Sequence, residues 1–335
     1  MLRICICGGG SLGHGCAGVL SSERSVSVNV LTGKPNLWNK SIKVFDCNGK
    51  IYSGNINRIS SNPEDVIPEA DIVFLCLPGY AIENELKAIS QFLDSKTVVG
   101  SIVSSTGFFF FAHNILSPDA KLFGFQRTPF IARVKEYGQS ANLLGYKPEV
   151  AVAVENIPEV DNFKSTIEML WKTPVKLLDS FYEAALTNSN PILHTGRLYS
   201  MFCGCENQTF EYNIPFYDEW TDEASQTIID MDAEFFALFQ KLQVRKDAIP
   251  TLLEYYESED ARSLTQKLKS IKAFHGILSP MKETDNGWIP DFKNRYFTED
   301  FPFGLKFIRD LAKKHGVEAP TIDKVYIWGM SVVGK

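Results

Sequence analysis

Residues 8 to 13 read Gly8-Gly9-Gly10-Ser11-Leu12-Gly13 and follow directly on the apolar run Leu2-Arg3-Ile4-Cys5-Ile6-Cys7. A buried strand that passes through Gly-x-Gly-x-x-Gly into a helix is the turn with which a chain binds a dinucleotide. The first glycine permits the tight turn, the second lets the backbone approach a pyrophosphate, and the third lets the helix lie close to the strand. The helix N-terminus then faces the anion. The pattern's place at the end of an apolar strand separates it from a merely structural glycine turn. Gly8, Gly10, Ser11, Leu12 and Gly13 are therefore expected to hold the cofactor.

The segments that follow continue in the same style. Apolar or alternating runs at 27–31, 70–77, 97–102, 120–124, 149–154 and 175–178 read as strands, with helical patterns after Gly13 and over 81–93. Residues 43–46 and 50–53 flank Asn48-Gly49, a strong hairpin signal. This alternation predicts an α/β fold with an N-terminal Rossmann doubly wound sheet, over residues 1–178. Beyond Leu178 long amphipathic stretches take over, at 190–201, 224–242, 248–256, 263–274, 301–315 and 321–329, with no further strand of comparable quality. They predict an all-helical second domain over 179–335. Two domains suit a chain of 335 residues. No flexible linker separates them, so a cleft between the two is expected, where ligands favour binding.

Several function classes drop out. The net charge is −6 and no dense basic tract appears, which argues against nucleic acid as a partner. The longest apolar stretch, 107–112, is far too short to span a bilayer. The N-terminus runs straight into a strand without the regions of a signal peptide, so a cytoplasmic location is expected. The seven cysteines are odd in number and contain no Cys-x-x-Cys. Cys5 and Cys7 share one face of a strand, as core residues do, and Cys203 and Cys205 have no two further ligands nearby. No metal is expected.

The end of the second strand bears on which dinucleotide binds. NAD-binding versions of the unit place an Asp or Glu there, on the ribose 2′-hydroxyl. This chain has Thr32-Gly33-Lys34. A hydroxyl and an ammonium suit a 2′-phosphate, so Thr32 and Lys34 point to NADP, with NAD as the alternative and a solvated loop lysine as the plain reading of Lys34.

In the second half, Asn190-Pro191 reads as an N-cap followed by the first helical residue, which puts His194 in the first turn. The positive end of the helix favours a neutral imidazole, able to give or take a proton at a carbonyl or imine that receives hydride. Taken alone, such a histidine is more often structural. Near the end, Arg295 and Asp300 flank a short turn. An aspartate there suits the role of orienting an imidazole, and an arginine that of clamping a carboxylate. On composition alone the segment reads as an ordinary capping turn.

Together, the glycine loop, Asn190-Pro191-x-x-His194 and Arg295-Tyr296-Phe297-Thr298-Glu299-Asp300-Phe301-Pro302-Phe303-Gly304-Leu305 resemble the octopine/nopaline (opine) dehydrogenase family over nearly the whole chain. Members reductively condense a 2-oxo acid, often pyruvate, with the amino group of an amino acid, using NADH or NADPH. The resemblance implies that His194 is the general acid/base, Asp300 its partner, and Arg295 an arginine acting on substrate carboxylate or on the pair. Asn190 joins the expected substrate contacts. Both substrates are anionic at one end, so Arg133 and Arg127, in the segment leaving a strand edge, are further candidate cations, with Arg127 leaning to a solvated charge. His14 is placed to touch the cofactor loop. The chain is shorter than animal members, which leaves amino-acid specificity open. A homodimer through the helical domain is also allowed for. The rival readings are a ketopantoate-reductase-like enzyme, which typically relies on a lysine in its helical domain, and a non-catalytic dinucleotide sensor that keeps the loop and loses the polar site.

Overall fold

The apolar run before the glycines forms strand β1 (Leu2–Cys7), and helix α1 (Ser11–Ser21) leaves from its end. The computed structural model describes residues 1–242, 244–245 and 247–335. The chain divides into two compact units, Met1–Ala185 and Leu186–Lys335.

The first unit continues through β2 (Val26–Leu31), β3 (Ser41–Asp46), β4 (Ile51–Asn55), β5 (Arg58–Ser60), β6 (Ile72–Leu75), α2 (Gly79–Ile89), β7 (Val98–Ile102), α3 (Phe108–Ile115) and β8 (Lys121–Phe125). It ends with β9 (Phe130–Glu136), β10 (Ser140–Tyr146), β11 (Val150–Glu155), α4 (Val160–Trp171), β12 (Val175–Leu177) and α5 (Phe181–Ala185). Among the described residues eight strands make one sheet in the order β12-β11-β8-β7-β6-β1-β2-β5, parallel except where β11 runs against β8. β1 is central, between β2 and β6, and a central parallel strand must be apolar on both faces. Ile4 and Ile6 enter the core beneath α1 and α4, whereas Cys5 and Cys7 enter the opposite core beneath α2 and α3. Helices on both faces make the sheet doubly wound.

One crossover departs from the helical rule. Between β2 and β5 the chain inserts the β3–β4 hairpin, with Gly49 at φ +82 in its turn. The hairpin joins β10 and β9 in a second, four-stranded sheet of order β4-β3-β10-β9. α1 is thus enclosed between two sheets, and its glycines permit the approach: a Cβ on Gly18 would overlap the Val44 side chain. The strands β9 and β10 have no counterpart in the sequence reading. The first unit also reaches past residue 178 to Ala185, because Ala184 of α5 is fully buried in the core that holds Phe108 and Phe109.

The second unit comprises α6 (Asn190–Phe202), α7 (Asp222–Phe239), α8 (Leu252–Tyr255), α9 (Ala261–Ser270), the hairpin β13 (Met281–Thr284) and β14 (Gly287–Pro290), α10 (Arg295–Thr298), α11 (Lys306–Lys314) and α12 (Pro320–Val332). It is helical, as expected, with the short hairpin as an addition. Asn286-Gly287 was the overlooked signal: Gly287 has φ +120, a conformation that favours glycine in tight turns. Among the described residues no helix is long and apolar enough to cross a membrane.

Gly13 is one of the tightest points of the first unit, since a Cβ there would collide with the Gly8 carbonyl. Both partners are backbone and cannot yield, so Gly13→Ala is expected to cost about 3 kcal/mol, the upper end of overpacking penalties. Gly33→Ala, where no heavy atom lies within 4 Å of the added carbon, serves as the neutral control. Chemical denaturation of the two variants checks this.

Candidate functional site

The glycine loop separates glycines that the protein needs from one that it does not. Gly8 has φ +126, and a Cβ on it would lie 2.5 Å from the Cys76 carbonyl oxygen. Gly8 and Gly13 are thus required by the turn and by the helix contact. A Cβ on Gly10 would meet nothing within 4 Å. The bare backbone at Gly10 serves no protein contact, and it is the backbone that a pyrophosphate approaches in this motif. Gly10 is also the N-cap of α1 and supplies no side-chain cap, so the first-turn N–H groups face outward for an anion. The residues present therefore fit a dinucleotide.

Side chains hold this loop from the second sheet. Ser11 Oγ accepts the Val134 N–H at 3.1 Å. His14 is fully buried; its Nδ1 lies 2.9 Å from the Gly10 carbonyl and its Nε2 accepts the Gly138 N–H at 2.7 Å. Those partners require the neutral ring with its proton on Nδ1, and burial pushes the His14 pKa below its ordinary value, in the same direction. The ring is enclosed by Trp38 and Tyr137, at centroid distances of 4.1 and 4.9 Å. Leu12 is partly buried against the core. Thr32 is buried too, its Oγ1 accepting the Lys34 N–H at 3.4 Å. Lys34 is exposed, with its ammonium 5.8 Å from the centre of the Tyr137 ring.

The second cluster lies within the helical unit. His194 sits on α6 with 7% exposure, and its Nδ1 is 2.9 Å from Asp300 Oδ2. The two are 106 residues apart in sequence. Asp300 reaches the ring because of the periodicity of its own segment. Phe297, Phe301 and Leu305 are fully buried at four-residue spacing, and the offset positions Tyr296 and Asp300 turn to His194. The turn carrying Asp300 rests on the start of α6, where a Cβ on Gly304 would stand 2.6 Å from the Pro191 ring. Tyr296 lies against the imidazole at a centroid distance of 4.5 Å.

The remaining expected residues are placed differently. Asn190 is the first residue of α6 and not its cap; its N–H is accepted by Asn188 Oδ1 at 3.3 Å. The reason is that the turn already closes at Ser189, whose carbonyl accepts the Ile192 and Leu193 N–H groups. Arg295 makes two hydrogen bonds of 2.8 Å to Glu299, one helical turn away, and its side chain is 79% exposed. Its fork is thus engaged by a neighbouring carboxylate. Arg133 is exposed on β9, in the second sheet, where its Nη1 donates to the Ala132 carbonyl; Arg127 is exposed before β9.

Two residues at the cluster were not singled out from the sequence. The Tyr217 hydroxyl lies 3.4 Å from His194 Nε2. Arg197, three residues after His194 on α6, is 3% exposed and donates from Nε to the Phe216 carbonyl at 3.2 Å and from Nη2 to the Glu219 carbonyl at 2.7 Å. Burial pushes the Tyr217 phenol well up, with Tyr296, Tyr256 and Asp300 adding to it. Burial also draws the Arg197 pKa down to about 10, against the pull of Glu219.

Residues 177–333 match the family described as NAD/NADP octopine/nopaline dehydrogenase, alpha-helical domain, and residues 4–105 match the ketopantoate reductase family PanE/ApbA. Opine dehydrogenase of Haliotis discus hannai is 26% identical over 367 residues, covering 100% of this chain and 91% of that one. Tauropine dehydrogenase of Arabella iricolor is 26% identical over 366 residues, covering 100% and 92%. Octopine dehydrogenase solved with NADH and L-arginine superposes with a TM-score of 0.87 at 25% identity, over 100% of this chain and 90% of that one. The helical half belongs to the octopine/nopaline (opine) dehydrogenase family, and the whole chain is similar to its members along its full length.

The glycine loop lies in the first unit and the imidazole–carboxylate pair in the second. The ketopantoate reductase match stops at residue 105 and never reaches α6, so the helical half decides between the two families. The open backbone at Gly10 yields a direct test. Gly10→Ala is expected to leave the denaturation midpoint unchanged and to raise the Kd for NADPH and NADH by about tenfold or more, the equivalent of a modest overpacking penalty at the ligand. Fluorescence titration of the variant measures it; an unchanged Kd would place the pyrophosphate elsewhere.

Proposed function

We propose that this chain catalyses the NAD(P)H-dependent reductive condensation of a 2-oxo acid of the pyruvate class with the amino group of an amino acid. The observation that carries this reading is the 2.9 Å contact between His194 and Asp300 inside the unit that matches the family's helical domain. In balance, a 2-oxo acid, an alkylammonium, NAD(P)H and a proton give a secondary ammonium dicarboxylate, NAD(P)⁺ and water.

The chain's own groups supply the proton chemistry. His194 takes a proton from the substrate ammonium, which frees the lone pair that attacks the oxo carbon. The same imidazolium returns a proton to the hydroxyl that departs as water when the imine forms. Asp300 holds Nδ1 and stabilises the imidazolium between the two events, which leaves Nε2 as the atom that faces substrate. Gly10 and the first turn of α1 would hold the pyrophosphate, and Thr32 and Lys34 would meet the ribose. Reduced nicotinamide, when bound, supplies the hydride that the former carbonyl carbon receives. Arg295 is the candidate clamp for a substrate carboxylate, by exchange of its Glu299 partner.

His194→Ala is expected to lower turnover by about 100-fold or more, the contribution of a positioned general acid/base. The assay follows NAD(P)H oxidation across 2-oxo acids paired with each amino acid. Oxidation that proceeds equally well without any amine would favour the ketopantoate-reductase-like reading, and unchanged turnover in the variant would remove His194 from the chemistry.

For the cofactor, Lys34 and the lack of a carboxylate at Thr32-Gly33-Lys34 support NADP over NAD. The expected outcome is a higher kcat/KM with NADPH than with NADH, a preference that Lys34→Ala weakens. A large preference for NADH in the parent protein sinks this assignment.

A further inference from the structure

His194 is a useful proton carrier only if one nitrogen stays bound to Asp300 and the other stays available. A histidine ring on a helix can rotate about its side-chain bonds, and its two nitrogens exchange roles with the proton. The Nδ1 side is held by Asp300. The Nε2 side meets the Tyr217 hydroxyl at 3.4 Å, and this tyrosine has little freedom. It is 4% exposed, stacked on Trp220 with planes 8° apart and on Phe274 at a centroid distance of 4.1 Å. The turn that presents it is held in turn by Arg197, whose guanidinium spans the Phe216 and Glu219 carbonyls and lies 5.2 Å from the Trp220 ring centre. A buried arginine is costly unless its donors are used; here two carbonyls of one turn use them. Arg197 and His194 lie on the same helix three residues apart, so one rigid element carries both the imidazole and the group that positions its second neighbour.

We propose that Arg197 and Tyr217 are positioning residues for His194: Arg197 fixes the 216–220 turn, and through it the Tyr217 hydroxyl donates to Nε2 and holds the ring in the neutral form with its proton on Nδ1, facing Asp300. The inference rests on His194 being the acid/base of the proposed reaction. The phenol is suited to donating, because burial keeps it protonated. A donor to Nε2 favours the neutral imidazole and opposes Asp300, which favours the charged one. Substrate must then displace a weak hydrogen bond, and no competing carboxylate, at Nε2. Among the described residues, the titratable groups that contact His194 are Asp300, Tyr217 and Tyr296, and Phe216 meets the ring edge-on. On the α7 side, the residues at the neighbouring Gly196 are the apolar Ile228 and Met231.

The test reads His194 itself. The full chain is labelled with [13Cε1]histidine and titrated by NMR, with His194→Gln used to assign the resonance among the five histidines. Tyr217→Phe keeps the stacked ring and removes only the hydroxyl. The neutral form loses its donor, so the His194 pKa is expected to rise by about half a unit to one unit, the size of one hydrogen bond. Arg197→Lys keeps the charge, breaks the two-carbonyl grip and is expected to move the titration the same way by less. An unchanged or lowered pKa in Tyr217→Phe overturns the proposal, and an unchanged pKa in a folded Arg197→Lys overturns the part assigned to Arg197. If the lysine variant does not fold, Tyr217→Phe still decides the role of the hydroxyl. Turnover separates this inference from the reading beneath it. A shifted titration with full activity in His194→Ala refutes the catalytic role alone, whereas a fixed titration refutes the positioning role whatever the activity.

Discussion

Gly304 lies against Pro191 so closely that a side chain would stand 2.6 Å from the proline ring, and that contact seats the Asp300 turn on the first turn of α6. The same device recurs around it. Phe301 occupies the space that a Cβ on Gly329 of α12 would need, and it stacks on Phe297 with planes 8° apart. The polar pair at the centre is therefore positioned by apolar packing on the opposite face of its own segment. Protein interiors are close-packed and yield little. A carboxylate carried on such a segment is brought to the imidazole by packing, and its hydrogen bond with His194 Nδ1 completes the placement.

The glycine loop of the first unit obeys a related constraint with different means. Gly8 and Gly13 are needed by the backbone, and Gly10 is not. The second sheet then secures the helix that starts there, through Ser11 to Val134 and through His14 to Gly138. A cofactor loop is more precise when its surroundings lock it before the ligand arrives. His14 contributes as a neutral bridge, which ties the loop to the β9–β10 turn only while its Nε2 lone pair is free to accept.

Local signals carried the first unit and failed where contacts were remote. β1, the glycine turn and the Asn48-Gly49 hairpin each depend on a few adjacent residues, and each stands where the sequence placed it. β9 lies at the edge of a small sheet with β10 beside it, both have exposed apolar positions such as Ile131 and Leu144, and their pairing is broken by register shifts near Ser140 and Leu143. Periodicity alone could not single them out. In the helical unit, Asn190 was misplaced by one residue because Asn188, Ser189 and Asn190 are all competent caps. The His194–Asp300 pair spans 106 residues, and its pairing was implied only by resemblance to the family. Tyr217 and Arg197 gave no signal, since an aromatic-rich turn and an arginine one helical turn past a histidine are ordinary features until folding brings them together.

Arg295 stands in a pairing that is readily exchanged. It shares two hydrogen bonds with Glu299 from positions four apart on one helical segment, with its side chain mostly in solvent. Exposed ion pairs of this kind contribute little to stability, because water already solvates both partners. A substrate carboxylate offers the same bidentate geometry that Glu299 does, so exchanging one for the other loses little. His194 stands in the opposite regime. The imidazole is buried, with Tyr217 buried on one side and Asp300 mostly shielded on the other, so removing either leaves a ring nitrogen with a lost partner. The two clusters of polarity in this segment therefore have different costs of rearrangement: the shielded His194–Asp300 pair resists change, while the exposed Arg295–Glu299 pair reorganises readily. In the proposed reaction that division would put tolerance at Arg295 and rigidity at His194.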